Sequence, residues 1–370
     1  MSDVDSTRPY VVIPAGGGGT RLWPVSRAAR PKYLHALTGG DRSLLQATYD
    51  RLIPMTAADR VLVVTGAAHV TAVGEQLPEL GAEQIIAEPF GRDSCAAIGL
   101  AAAIIERRDP GAVMASFAAD HLIGDQQRFV ETVRLAVRGA EAGKLMTIGM
   151  TPTRVETGYG YVQCGPETDL PGVRAVLRFR EKPPYEAAAE YVASGDYLWN
   201  ASVFVWRTDV FLAALKQHSP GIHESLSTIA DSWDTPDRKR VLDEIWPTLP
   251  KIAVEYAVME PAAADGMVAT VPGDFGWHDI GDFHTLGEIL DDGTAAPVEI
   301  GGGDRGSVVV HDSKGLVVYP GGGRLIAAVG VENLVIVDTG DAVLVCNRDR
   351  AQDVKALTEL LRESGHTEAL

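Results

Sequence analysis

The sequence predicts an α/β protein whose C-terminal end is a small all-β unit. Through the first half, short apolar runs alternate with helical patterns, which is the rhythm of a sheet covered by helices. Near the end, β-like runs recur about every nine residues. A third observation is the apolar run Val11, Val12, Ile13, which leads into four consecutive glycines, Gly16 to Gly19.

Residues 61–65, 85–87, 113–117 and 145–149 read as strands, and 43–52, 69–77, 94–107 and 127–142 as helices. The alternation implies a mostly parallel sheet with helices on both faces. From Tyr159 to Trp206 the strands lengthen and polar loops intervene, which suggests antiparallel additions in a substrate-binding half. After Leu290 the stretch DDGTAAPVEIGGGDRG is a glycine-rich bridge. Short runs then begin near Ser307, Leu316, Leu325, Leu334 and Ala342, as in a β-helix or β-roll. Residues 351–363 read as one amphipathic helix whose packing partner the sequence does not give. The chain therefore divides into 1–290 and 291–370.

Its 370 residues are 46% hydrophobic and 22% charged, an ordinary globular balance. The net charge of −17 excludes the broad basic surface of a nonspecific nucleic-acid binder. Anionic ligands must instead be drawn in by a local basic site. The opening MSDVDSTRPY has no apolar signal region, and no apolar run is long enough to span a bilayer. Cys95, Cys164 and Cys346 lie far apart in no metal-ligand spacing. A reduced, cytoplasmic setting is expected, without thiol chemistry.

The loop PAGGGGTRLWPVSRAARPK, Pro14 to Lys32, concentrates Arg21, Arg27, Arg30 and Lys32 in an acidic chain. It fits neither G-x-x-x-x-G-K-[ST] nor G-x-G-x-x-G. Glycine amides beside these cations nevertheless suit phosphates. In ASFAADHLI, Asp120 follows a buried strand, where a carboxylate either holds Mg²⁺ at a nucleotide site or caps the next helix. His121 is better suited to a supporting hydrogen bond than to catalysis. FGWHDIGDF adds a second carboxylate, Asp279, between Gly276 and Gly281; two aspartates plus phosphate oxygens would complete a Mg²⁺ site.

In FREKP, Glu181 and Lys182 are neighbours in a segment expected to be extended, so their side chains should point apart. They are then not one ion pair, and one would face a sugar hydroxyl and the other a phosphate; a solvated loop pair is the alternative. EPFGRDSCAAI places Arg92 where it could meet phosphate, with Asp93 or Ser94 capping a helix or contacting a base. TGYGYVQ and YLWNASVFVW carry the glycine, aromatic and amide groups of a sugar cleft, or else are a turn and a core strand.

Taken in order with TPTRVETGYGYV and VEYAVME, these blocks resemble the bacterial mannose-1-phosphate guanylyltransferases of the sugar-nucleotide pyrophosphorylase superfamily. The resemblance runs from about Pro9 to Leu290. It implies a Rossmann-like nucleotidyltransferase domain with a mixed, mainly parallel sheet, a small C-terminal β-helix, and a homodimer. It also implies the reaction of GTP with mannose 1-phosphate, aided by Mg²⁺, to give GDP-mannose and diphosphate. On this reading Ala15, Gly16, Gly17, Gly18, Gly19, Thr20 and Arg21 surround the nucleotide, with Arg92, Asp93, Ser94 and Asp120. Tyr159, Gly160, Glu181, Lys182 and Asn200 surround the sugar phosphate; Asp120 and Asp279 hold Mg²⁺; Arg21, Lys32 and Lys182 assist the chemistry.

AADH departs from the usual PADH or PSDH, and WNAS stands where NSG is common, which bears on sugar specificity more than on the metal site. No segment corresponds to the isomerase domain of longer relatives, so no isomerase activity is expected. Two alternatives are a transferase for another nucleotide or hexose and a noncatalytic sensor of sugar nucleotides. A dehydrogenase is disfavoured because the glycine fingerprint fails.

Overall fold

A computed structural model describes residues 8–294, 296–301 and 306–370. The first seven residues and part of the glycine-rich bridge lie outside the described residues. No helix among the described residues is long and apolar enough to cross a membrane.

The larger unit is built on strands β1 (Tyr10–Ala15), β2 (Val61–Gly66), β3 (Ile85–Glu88), β4 (Val113–Ser116), β5 (His121–Ile123), β6 (Leu145–Met150), β7 (Tyr161–Glu167), β8 (Arg174–Arg180), β9 (Tyr197–Arg207), β10 (Val268–Gly273) and β11 (Trp277–Asp279). Its helices are α1 (Leu44–Leu52), α2 (Val70–Gln76), α3 (Asp93–Arg108), α4 (Gln126–Glu141), α5 (Tyr185–Ser194), α6 (Thr208–His218), α7 (Pro220–Asp231), α8 (Arg238–Ile245), α9 (Glu260–Ala264) and α10 (Phe283–Leu290). Helix starts follow the local chemistry. Ser43 and Gln46 form a reciprocal capping box on α1, and Asp125 and Asp282 accept backbone N–H bonds at the starts of α4 and α10.

The main sheet runs β3-β2-β1-β4-β9-β6-β10-β8-β7. Pairings β3–β2, β2–β1, β1–β4 and β6–β10 are parallel, whereas β9 and β8 run against their neighbours. The sheet is therefore mixed, with the antiparallel strands in the later half. Strand alternation divides the core. Val12, Leu62 and Val64 face the layer containing α3, α6 and α7, while Val11, Ile13 and Val63 face the layer containing α1 and α4. The carboxyl ends of β1 and β4 open on one edge, where ligands bind in such sheets.

The smaller unit contains β12 (Val298–Glu299), β13 (Val308–His311), β14 (Val317–Pro320), β15 (Ile326–Val329), β16 (Leu334–Asp338), β17 (Val343–Asn347) and helix α11 (Val354–Glu363). Strands β12 to β16 alternate between two sheets, so neighbours pair two steps of the repeat apart: Val308 with Ile326, and Val317 with Val335, both in parallel, which is the winding the nine-residue spacing suggests. The last run departs from it: β17 turns back and pairs antiparallel with β16, Leu344 opposite Val337.

The two units share a core. Leu22, Trp23, Ile280, Phe283 and Leu286 of the larger pack with Val317, Val335, Val337, Ala351 and Val354 of the smaller. Arg27 adds a two-pronged ion pair to Asp341, with N–O distances of 2.6 and 2.9 Å. The tail is anchored by the Trp23 indole, which donates to the Ala369 carbonyl at 2.7 Å. The helix left without a partner in the sequence thus packs beside the glycine loop.

Candidate active site

β1 delivers the chain into the loop at Gly16, where Gly17 and Gly19 have φ of 89° and 51°, the left-handed region. A Cβ at Gly19 would lie 2.6 Å from Ser26 Oγ, so glycine is required there by space as well as conformation. Ser26 Oγ donates to the Gly18 carbonyl at 3.0 Å, and residues Thr20–Leu22 close the loop with one helical turn. The loop edges a cleft of about 520 Å³. Gly16, Gly17, Gly19, Thr20, Arg21, Lys32, Asp93, Ser94, Asp120, Tyr159, Gly160, Glu181, Lys182, Asn200 and Asp279 all line it.

Three expected residues do not. Ala15 is sealed in the core, and Gly18 is turned onto Ser26. Arg92 is a correction: its guanidinium donates to the Pro247 carbonyl and lies 4.7 Å over the Phe90 ring, which holds it outside the cleft. Asp93 adopts φ of 68° and accepts from the Ser94 N–H at 2.8 Å. Ser94 Oγ in turn accepts from the Val254 N–H at 2.9 Å.

The two aspartates, distant in sequence, meet because β5 and β11 pair antiparallel, with His121 opposite Asp279. Ligand atoms of Asp120, His121 and Asp279 lie within 4.8 Å of one another. Lys32 bridges the carboxylates: its Nζ is 3.0 Å from Asp120 and 3.6 Å from Asp279, and donates to the Ile280 carbonyl at 2.8 Å. Burial works against the Lys32 charge, but Asp120 and Asp279 outweigh it and raise the ammonium pKa. Burial likewise opposes the Asp279 charge, and the Lys32 ammonium beside it overcomes this, leaving that carboxyl below its ordinary range. Burial lowers the His121 pKa, favouring the neutral ring, and the Trp277 indole donates to its Nδ1 at 3.2 Å.

Across the cleft, the expectation for Glu181 and Lys182 is overturned. β8 ends at Arg180 and Lys182 has φ of 44°, so the alternation of an extended strand no longer applies. The chain turns and Lys182 Nζ lies 2.9 Å from Glu181 Oε1 as one ion pair. The Glu181 carboxylate is buried against Gly160, where any Cβ would collide with it. Asn200 is fixed through Oδ1, which accepts from Thr147 Oγ1 at 2.7 Å and the Ser202 N–H at 3.2 Å. The Tyr159 ring meets Trp199 and Trp277 edge-on, each at 5.3 Å.

Sequence reasoning did not single out three residues that the fold brings here. Glu255 heads a short π-helical turn, Glu255–Met259, a geometry frequent at functional sites. Its carboxylate lies 3.4 Å from both the Ser94 and Ser202 hydroxyls, and burial with the nearby Glu181 pushes its pKa up to about 7. Glu88, at the end of β3, lines an adjoining cavity of about 420 Å³ with Pro14, Gly16, Gly17, Asp93 and Ser94. It is 5% exposed, Oε1 has no hydrogen-bond partner, and burial, then Asp93, pushes it to about 7. Both glutamates stand within motifs the sequence offered, but nothing in a lone glutamate distinguishes burial from exposure. The third residue is Lys355 of α11, which lines the main cleft. The C-terminal runs, which show no dense group of ionisable residues in sequence, thus reach the site through their terminal helix.

Comparison with known proteins matches two family models, described as Nucleotidyl transferase over residues 10–295 and as MannoseP isomerase/GMP-like beta-helix domain over residues 306–361. The mannose-1-phosphate guanylyltransferase of Escherichia coli (strain K12) is 40% identical over 369 residues, spanning 97% of this chain and 74% of that protein. The xanthan biosynthesis protein XanB of Xanthomonas campestris pv. campestris (strain B100) is 39% identical over 376 residues, 100% of this chain and 75% of that protein. Among solved structures, a Thermus thermophilus protein described as a mannose-1-phosphate geranyltransferase superposes with a TM-score of 0.84 at 33% identity. That alignment covers 96% of this chain and 100% of the other.

Proposed function

Because the chain belongs to the nucleotidyl transferase family, we propose that it transfers the guanylyl group of GTP to mannose 1-phosphate, giving GDP-mannose and diphosphate. The observation that carries this reading is the meeting, in one cleft, of the glycine loop, the Lys32–Asp120–Asp279 group and the Glu181–Lys182 pair. The guanylyltransferase name of the 40% identical relative supports the choice of substrates.

A phosphate oxygen of mannose 1-phosphate attacks the α-phosphorus of GTP in line. The bond between that phosphorus and the bridging oxygen to the β-phosphate breaks, and its electron pair leaves with diphosphate. The nucleophile is already ionised, so the difficulty is to bring two polyanions together rather than to move a proton. The loop amides and Arg21 hold the triphosphate, and Lys32 meets the charge that shifts at the α-phosphate. Lys182 holds the sugar phosphate; Glu181 and Asn200 accept and donate to hexose hydroxyls. Asp120, in the turn just before β5, and Asp279, at the end of β11, are two oxygen donors that fit a hard cation. Mg²⁺ held there would supply counter-charge to the phosphate oxygens. In the adjoining cavity, Glu88 offers a carboxylate to the N1–H and N2–H donors of guanine.

A homodimer is part of this reading. Val309, Leu325, Val329, Val343 and Val345 leave apolar side chains more than half exposed on the smaller unit, a surface suited to a second copy. The described cysteines are all free, consistent with a cytoplasmic setting.

The deciding experiment measures diphosphate release over a matrix of nucleoside triphosphates and hexose 1-phosphates. GTP with mannose 1-phosphate should give the highest kcat/KM. A different preferred pair would reassign the substrates, and no release with any pair would favour a sensor.

A further inference from the structure

The smaller unit does more than brace the larger one. Residues Ala351, Val354 and Thr358 form one buried face, and Val354 packs in the same apolar cluster as Leu22 of the glycine-loop turn. Arg348 and Gln352 lie in the 3₁₀ segment Arg348–Asp353, which is kinked at Arg350, and Lys355 lies in the first turn of α11. All three reach ligand space. Lys355 lines the main cleft with Gly17, Thr20 and Arg21. Arg348 and Gln352 line an adjoining cavity of about 930 Å³, which shares Arg21, Lys182 and Asp279 with the cleft. The Arg348 Nε is buried there without a hydrogen-bond partner.

The charges of the cleft are unequally engaged. Lys32 is held by Asp120 and Asp279, and Lys182 by Glu181. Among the described residues, Arg21 and Lys355 line the cleft without an ion-pair partner. Lys355 is carried beside the glycine-loop turn, because Val354 packs in one apolar cluster with Leu22, the neighbour of Arg21. A cation without such a partner, in a chain of net charge −17, attracts an anion locally, and it forms a charge-assisted hydrogen bond without first breaking another.

We propose that Lys355, carried by the C-terminal helix, binds the β- and γ-phosphates of the nucleotide and the diphosphate they become. This rests on the guanylyltransferase reading above. As the bond to the α-phosphorus breaks, charge accumulates on the departing diphosphate, and Lys355 with Arg21 meets it. In reverse, the same pair receives diphosphate. Arg348 lines the adjoining cavity, which shares Arg21 with the cleft. The β-helical unit is thereby part of the catalytic machinery, because the packing of α11 on the Thr20–Leu22 turn fixes where Lys355 stands.

The test uses the full-length chain and the variants Lys355→Ala and Lys355→Arg. Michaelis constants are measured for GTP and mannose 1-phosphate forward and for diphosphate in reverse. Lys355→Ala should raise the constants for GTP and diphosphate about tenfold, and that for mannose 1-phosphate less than about twofold. Lys355→Arg should recover most of the loss, and both variants should melt with the wild type because the side chain is exposed. Unchanged GTP and diphosphate constants in Lys355→Ala would overturn the proposal, as would equal losses for all three substrates with a lowered melting temperature. Calorimetry with diphosphate alone separates the two readings. A wild type that makes no GDP-mannose defeats the reaction assignment, while weaker diphosphate binding by Lys355→Ala still supports the site and unchanged binding removes it.

Discussion

Lys32 touches two carboxylates and a carbonyl at once, so the consequences of changing any partner differ in kind. Asp279→Asn keeps the volume but removes the charge that a hard cation needs, and turnover should fall roughly 100-fold. Initial rates across a Mg²⁺ titration check this; a normal rate at limiting Mg²⁺ would show that Asp279 is not a ligand. Lys182→Ala should chiefly raise the Michaelis constant for mannose 1-phosphate, whereas Lys32→Ala should chiefly lower kcat. The first charge faces a group charged throughout, the second a charge that shifts in the transition state. Steady-state kinetics of both variants read the division. At Glu88 the folded carboxyl titrates near 7 against an ordinary value of 4.5, so the native state holds the proton more tightly than the unfolded chain. Its contribution is therefore fully present below about pH 4.5 and is lost as pH rises through about 7. Glu88→Gln cannot ionise, and its melting temperature should rise relative to wild type across that window, in the absence of nucleotide. With nucleotides, the same variant should discriminate less between GTP and ITP, which lacks the N2 donors.

At the scale of elements, the site depends on short pairings rather than on long helices. β5 and β11 are three residues each, yet their pairing brings Asp120 and Asp279 together beside His121. α10 follows directly, and its Phe283, fully buried, joins the core shared with the smaller unit. Phe283→Ala should cost about 3–5 kcal/mol of stability, since the removed ring leaves a cavity that two packed units cannot easily close. Urea unfolding checks the size. Because the same core supports the Thr20–Leu22 turn, the variant should lose activity at temperatures where its main sheet remains folded, as followed by circular dichroism.

For the whole molecule, the exposed apolar side chains of β13, β15 and β17 are the feature an isolated chain explains least well. If a second copy covers them, Val329→Asp should halve the particle mass seen by light scattering while leaving the cleft intact. An unchanged mass, whether of one chain or two, would separate that surface from assembly. Truncation after Leu290 should lower the melting temperature, because Leu22, Ile280 and Phe283 lose the side chains that cover them.

The alternation of apolar runs and the glycine loop in the sequence were enough to determine the α/β class, and the nine-residue spacing determined the wound β unit. These are local periodicities, and a local pattern survives any tertiary arrangement compatible with it. Most of the cleft was legible for a related reason: glycines, adjacent aspartate and histidine, and the Glu-Lys-Pro segment are unusual combinations within single stretches. Tertiary structure decided what depends on distance and burial. It brought Asp279 opposite His121, turned Lys182 onto Glu181 by one left-handed residue, and drew Arg92 onto Pro247. It also buried Glu88 and Glu255, whose raised pKa values come from lost solvent, which no neighbouring letter records. Lys355 was the least legible, because its place in the cleft follows from the packing of a helix more than 300 residues from the loop it faces.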